Sequence, residues 1–426
     1  MTVAKPLIDF TSHLPNEILI KIIEICVEEG QRCLDQDEIS RESDEGWNGL
    51  QSQTALQLER CQDQLLTVFW NGWSMPKNDN KALGLTCAKS AQWRRADLSG
   101  YPSSFFDLSA HEMTFPELTS LCLYFNEDIE GGKPQIRIPD SLRNARKLHE
   151  LTLSAHCDAF RHLSALPWAQ ITHFTAEYLD ESPDWRETFD NCTLYDTLPR
   201  LTNVQHCSLE VHQDMATFSG SPIILPLLHT LILTPGDVTL DASLQVFGAL
   251  TLPALRKLQI HCNFLGPYGL FRFLDRSQCQ LEEFGFDHGC INPESTRATL
   301  LGHKRLQSIR ALKIPGGADG HLACWISVRA LQYPLPGDET TQSVVLPNLV
   351  SLTFTKALFD NGEEVNALMD MLSSCRNIDH LPSTVARLQE LTIQGEKLFA
   401  LENEGDQVRF EKLCGDGLVF RNVRGN

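Results

Sequence analysis

The chain has 426 residues, 42% of them hydrophobic and 21% charged, the balance of a folded protein with room for a large core. A net charge of −19 argues against a surface that follows nucleic acid or an anionic membrane, since both need clustered Lys and Arg. The fourteen cysteines include no C-x-x-C pair, and no apolar run approaches the ~20 residues of a membrane span. The composition therefore predicts a reduced protein of the cytoplasm or nucleus, with no metal and no cofactor.

The first predicted element is a helix over 12–27. Pro15 suits its first turn and Glu17 complements the positive end of its dipole. Ile18, Leu19, Ile22, Ile25 and Cys26 fall on one apolar stripe, and Gly30 suits the helix end. Residues 28–45 then carry eight acids against Arg32 and Arg41, which reads as a solvated linker. Structure resumes with a strand over 65–70, a short helix over 82–91 and the start of a further strand at Ala96-Asp97-Leu98.

From residue 111 one apolar pattern recurs ten times. It reads Leu118-x-x-Leu121-x-Leu123, Leu148-x-x-Leu151-x-Leu153, Ile171-x-x-Phe174-x-Ala176, Val204-x-x-Cys207-x-Leu209 and Leu228-x-x-Leu231-x-Leu233. It continues as Leu255-x-x-Leu258-x-Ile260, Leu281-x-x-Phe284-x-Phe286, Ile309-x-x-Leu312-x-Ile314, Leu349-x-x-Leu352-x-Phe354 and Leu388-x-x-Leu391-x-Ile393. The mean step from Leu118 to Leu388 is 30 residues. This resembles the L-x-x-L-x-L core of leucine-rich repeats, with long and uneven spacing. Prolines 116, 199, 226, 253 and 347 stand just before strands, where they cost no ladder hydrogen bond. Helical returns are predicted over 244–249, 270–274 and 365–372.

The predicted fold class is α/β: a leucine-rich-repeat-like solenoid with a parallel strand ladder, preceded by a short helix. Its divisions are 1–30 (helical segment), 31–55 (acidic linker), 56–110 (connecting segment and N-terminal cap), 111–395 (repeats) and 396–426 (C-terminal cap or tail). The motif leucines are core, so recognition is expected on the positions between them. Ser120, Glu150, His229, Lys257, Gln259, Glu282, Arg310, Lys313, Ser351 and Glu390 are such positions. His206-Cys207 and His261-Cys262 do not form a dyad or metal pair, because neighbours on a strand point to opposite faces. Trp93 and Trp168 are expected as anchors in the solenoid wall. No nucleotide-binding or hydrolase motif occurs, so no catalytic residue is assigned and the chain is expected not to be an enzyme.

The string Leu14-Pro15-Asn16-Glu17-Ile18-Leu19, with Ile22 and Ile25 after it, resembles the start of an F-box. Gln92-Trp93-Arg94-Arg95-Ala96-Asp97-Leu98, Phe115-Pro116-Glu117-Leu118-Thr119-Ser120-Leu121 and Leu166-Pro167-Trp168-Ala169-Gln170-Ile171-Thr172-His173-Phe174 resemble the F-box and repeat proteins of mushroom-forming fungi. The resemblance implies a substrate-recognition subunit of a Skp–cullin–F-box ubiquitin ligase. Leu14, Pro15, Glu17, Ile18, Leu19, Ile22 and Ile25 would bind a Skp-type adaptor, and through it a cullin, by filling a groove. The repeat surface would hold the target protein. The pattern departs where an F-box would continue, because the acidic segment 28–45 stands there and shortens the module. The alternative reading is an interaction scaffold with no ligase function.

Overall fold

The computed structural model describes residues 56, 58–59, 61–71, 81–100, 112–125, 138–154, 163–177, 192–211, 221–235, 242–261, 267–286, 302–315, 331, 345–355, 362–379, 381–395, 401 and 403–424. The predicted N-terminal helix and the acidic linker lie outside them.

Each of the ten apolar motifs forms one strand, and among the described residues five further strands, beginning at Leu66, Trp93, Ile223, Leu250 and Val419, lie outside the motifs. The first are β1 (Leu66–Asn71), β2 (Trp93–Gly100), β3 (Ser120–Phe125), β4 (Glu150–Ser154), β5 (His173–Glu177) and β6 (His206–Val211). Next come the short β7 (Ile223–Ile224), β8 (Thr230–Pro235), the short β9 (Leu250–Thr251), β10 (Lys257–Ile260) and β11 (Glu283–Phe286). The series ends with β12 (Ala311–Pro315), β13 (Ser351–Thr355), β14 (Glu390–Gly395) and β15 (Val419–Arg424). All but β7 and β9 join one thirteen-stranded sheet in chain order, and every pairing in it is parallel. β7 and β9 pair with each other in a second, two-stranded sheet. The fold is a leucine-rich-repeat-like solenoid.

The register follows the motif. Leu121, Leu151, Phe174, Cys207, Leu231 and Leu258 are successive partners, and the column runs on through Phe284, Leu312, Leu352 and Leu391. All thirty motif residues are buried, none more than 4% exposed. Their alternation puts one face of every strand into the core, and no single repeat could cover that face alone. The ladder stays in register from Leu312 to Leu352 to Leu391 across the two longest gaps.

A backbone device repeats at the entrance of the strands. The Thr119 carbonyl accepts from the amides of both His149 and Glu150, each at 3.1 Å. The carbonyls of His149, Thr172, Gln205, His229, Arg256, Glu282, Arg310 and Val350 do the same for the repeat that follows. Side chains just before each motif add links between repeats. Glu117 meets Lys147 at 2.7 Å, Asn203 donates to Ala169 O at 2.6 Å, and Asn348 donates to Gln307 O at 2.8 Å. The backbone groups at the strand entrances are thus satisfied by the neighbouring repeat.

The returns cover the buried face. Between β3 and β6 they include 3-10 turns at Asp140–Asn144, Trp168–Gln170 and Leu198–Arg200, and the helix α2 (Cys192–Thr197). An earlier helix, α1 (Lys81–Cys87), leads into β2. Longer helices follow: α3 (Ala242–Ala249), α4 (Pro267–Ser277), α5 (Gly362–Arg376) and α6 (Glu404–Gly415). The predicted returns at 244–249, 270–274 and 365–372 fall within α3, α4 and α5. Val365, Leu368, Met369 and Leu372 form the buried stripe of α5. Phe247 of α3 packs on Phe273 of α4 with ring centroids 5.1 Å apart.

Trp93 and Trp168 are wall anchors, as their sequence context predicts. Both are buried; the Trp93 indole donates to Thr86 O at 3.2 Å and the Trp168 indole to Leu163 O at 3.0 Å. The ladder extends beyond 111–395 at both ends, through β1 and β2 and through β15. Leu391 pairs with Phe420, which carries the inner column one strand past the last motif.

Candidate protein-binding face

Alternation along each strand sends the residues between the buried ones to the opposite, open face of the sheet. Cys207 is 3% exposed while His206 beside it is exposed, which is why the His-Cys pair cannot act as one site. Cys262, of the second such pair, lies outside the described residues. The ten outward positions expected from the motif are all exposed or half-buried. They are spread along the ladder from Ser120 of β3 to Glu390 of β14 and do not converge on one point.

The face is ordered in bands. Its middle column is dominated by short, β-branched or hydroxyl side chains, including Thr152, Thr175, Ser208, Thr353 and Thr392. Such residues suit strands and leave low relief. Ile232, Gln259 and Lys313 stand higher in the same column, and Gly285 leaves a dip between Gln259 and Lys313.

Long polar side chains gather where the strands begin. Lys257 meets Glu283 at 2.7 Å, Arg256 meets Glu282 at 3.3 Å, and Arg421 meets Glu390 at 2.9 Å, each pair spanning adjacent strands or the turns entering them. Cross-strand pairs of opposite charge fix neighbours in place but contribute little energy at an exposed surface. The same edge carries His149 and His229, each just before its strand (β4 and β8), and His173 and His206, the first residues of β5 and β6. The rings of His173 and His206 are registered partners and stack at 4.4 Å, only 10° from parallel. Desolvation holds the His206 imidazole below its usual pKa, and His173, His229 and Lys257 push the same way.

The other end of these strands is acidic. Burial raises the Glu177 carboxyl above its ordinary pKa, and Glu210 on the next strand adds to the effect. Burial also pushes the Tyr124 hydroxyl up to about 12, helped by Cys122, Asp97 and Glu177. The open face therefore runs from a histidine-rich edge to a carboxylate-rich edge across a flat hydroxyl floor.

The seven residues assigned to adaptor binding, from Leu14 to Ile25, lie outside the described residues. The sequence reading missed His149 and His173 and set His206 aside with Cys207. The missing signal was available: once the ten motifs are aligned, these histidines share the two positions after the first apolar residue. Among the described residues no group of three His, Cys, Asp or Glu side chains is placed to hold a metal ion. No described helix is long and apolar enough to cross a membrane.

No protein-family description matches the chain. No curated protein matches it either. Among solved structures, the chain is similar to the leucine-rich repeat-containing protein LegL7 from Legionella pneumophila. Identity is 14% and the TM-score 0.38, over 74% of this chain and 95% of that one. The TLR13–ssRNA13 complex shares 17% identity at a TM-score of 0.37, over 70% of this chain and 38% of the other. A Bacteroides fragilis protein shares 11% at a TM-score of 0.31, over 72% of this chain and 65% of that one. Likeness this distant concerns architecture alone. The assignment of the fold rests on the continuous register of the ladder.

Proposed function

We propose that this chain is a protein-recognition subunit that grips a partner on the open face of its ladder. The observation that carries the reading is the buried apolar column of the ten motif strands, continuous in register from Leu121 to Leu391, with a largely polar face opposite it. A rigid, extended and chemically mixed surface suits recognition of a protein, which offers many weak contacts rather than one reacting atom. No catalysis is assigned to it.

In its fullest form the proposal is substrate selection for a Skp–cullin–F-box ubiquitin ligase. Leu14, Pro15, Glu17, Ile18, Leu19, Ile22 and Ile25 tether a Skp-type adaptor, while the repeat face holds the target. The gain is one of effective concentration: the target is held near the ubiquitin-charged enzyme. The support for this step is the F-box-like string alone. The acidic segment 28–45, standing where an F-box continues, favours the rival reading of a scaffold with no ligase link.

One experiment with two arms separates these readings. A photo-crosslinking amino acid at Thr152, Ile232 or Thr353 is expected to capture partner protein in cells, whereas one at Asp370 on α5 is not. Adducts only from Asp370 would overturn the open-face reading. In the second arm, a Skp-type adaptor is expected to co-purify with the full chain and to be lost from the Ile18→Asp, Ile22→Asp double variant. Retention of the adaptor by that variant contradicts the adaptor-binding assignment, and absence of adaptor from both chains supports the scaffold.

A further inference from the structure

The histidine edge of the open face is a local departure from the rest of the molecule. The chain has fourteen histidines and a net charge of −19, yet four of the histidines stand at the entrances of successive strands of the ladder. His149 and His229 occupy the residue that accepts the entrance hydrogen bonds, and His173 and His206 occupy the next one. The stripe crosses four neighbouring strands, ~15 Å at the usual strand spacing, and continues into Arg256 and Lys257 of the following repeat.

The stripe is held in place. The His149 Nδ1 lies 2.8 Å from Lys147 O, and the His173 Nδ1 lies 2.9 Å from Thr172 Oγ1. The His173 and His206 rings lie flat against each other. These contacts leave the outer edges of the imidazoles at the surface. Among the described residues, the charged groups around the stripe are Glu150 of β4, in register with His173 and 3.9 Å from His149 Nε2, Lys147 with its partner Glu117, Lys257 of β10 with its partner Glu283, and Arg256 with Glu282. Glu177 and Glu210 sit at the far ends of β5 and β6.

We infer that this stripe docks a segment of a partner protein rich in Asp and Glu, and that it does so with proton uptake. The inference rests on the open-face reading above and names the chemistry of the partner. The argument for an acidic occupant is charge complementarity. Two stacked imidazoles cannot both gain a proton without placing like charges 4.4 Å apart. A carboxylate seated against the pair removes that penalty, so acid groups and protons bind cooperatively, each raising the affinity for the other.

The sign of the linkage follows. In the free protein the His206 ring resists protonation, because desolvation and its neighbours hold it below the usual value of about 6.5. Acidification through that range therefore costs the free protein stability, since its unfolded chain takes up the proton more readily. An acidic ligand reverses this by raising the imidazole affinity for protons. Binding is weakest at alkaline pH and rises as the pH falls through the histidine range.

The test uses the full chain and a fluorescein-labelled deca-glutamate peptide, followed by anisotropy at fixed ionic strength. Binding is expected to be about tenfold tighter at about pH 5.5 than at about pH 8, where the glutamates stay ionised at both. Deca-lysine is expected to lose affinity over the same interval. In His173→Gln, His206→Gln the pH dependence should shrink to about twofold. The His303→Gln variant, altered on the helix side where that ring lies on Phe271, should keep the wild-type dependence. A dependence that survives the double glutamine variant, or that His303→Gln removes, overturns the inference. Failure of the open-face reading is separate, because it shows as absence of adducts at Thr152, Ile232 and Thr353 at every pH. Adducts there, with peptide binding indifferent to pH, overturn the histidine inference alone.

Discussion

Phe284→Ala is expected to destabilise the protein by about 3–5 kcal/mol, the largest effect of any single truncation considered. Phe284 is 1% exposed on β11 and lies in the inner column between Leu258 of β10 and Leu312 of β12. Its ring also packs against Phe286, with centroids 5.5 Å apart. Removing it opens a cavity at the middle of the array. Each repeat contacts mainly its neighbours, so a defect there weakens two interfaces at once and separates the halves of the ladder. Urea unfolding followed by far-ultraviolet circular dichroism should show a lower midpoint, and the transition should broaden as the halves uncouple. Thr353→Ala on the open face of β13 is the matched control, with a shift within about 0.5 kcal/mol. Equal effects from the two variants would mean that the faces are wrongly assigned.

The second large effect is expected from Arg376→Met, at about 2–3 kcal/mol. Arg376 ends α5 and is buried there. Its guanidinium donates to Leu388 O at 2.7 Å, just before β14, and to Asp416 O, in the turn between α6 and β15. One side chain therefore ties the end of α5 to the entrance of β14 and to the following return. Burial, with Arg387 nearby, lowers its pKa from the ordinary arginine value. Methionine keeps the apolar stem but leaves both carbonyls without this donor, and unpaired buried acceptors are costly. Gly417 lies in the same turn with φ of +93°, a conformation that other residues adopt only with strain. Hydrogen exchange should lose protection in β14 and β15 first, with β3 to β6 unchanged. Uniform loss along the chain would contradict a local tie. Arg276 repeats the device at the end of α4, donating to Phe247 O, Leu250 O and the Thr251 hydroxyl.

The repeat core was legible in the sequence because its signal is short-ranged. A strand with one buried face must place apolar residues two apart, and the L-x-x-L-x-L spacing states this ten times over. Val365, Leu368, Met369 and Leu372 gave α5 by the same logic at helical spacing. β15 escaped because Val419-Phe420-Arg421-Asn422 puts one apolar residue, Phe420, into the inner column and then Asn422 into the next. A terminal strand needs cover on one side only, so its pattern is relaxed. The strand at 65–70 was visible, but its register with β2 depends on a partner 27 or 28 residues on and on a shift between Leu66 and Thr67. The histidine stripe is a product of register rather than of local sequence. Its members are 24, 33 and 23 residues apart, and only the stacking of repeats makes them neighbours.

The entrance hydrogen bonds explain why irregular spacing does no harm. Each strand is set by the carbonyl of the repeat before it, so the return between them can lengthen freely. The step from Ile309 to Leu349 is well above the mean of the array, yet Arg310 O still accepts from Val350 and Ser351 at 2.8 and 2.9 Å. Loop length is cheap in such a design because closure entropy grows only slowly with it.

The central claim is a single ladder, in register, with an open face along its whole length. Distances between spin labels on that face test it most directly, with the label carried on a genetically encoded amino acid so that native cysteines stay in place. From Thr152, the spacing to Gln259 should be near 19 Å and that to Thr353 no more than ~34 Å, because four and seven strand steps of ~4.8 Å separate them. Narrow distributions that lengthen with each strand step are the expected result. Distances that take no account of strand number, with Thr353 as close to Thr152 as Gln259 is, would contradict the ladder and the recognition surface built on it.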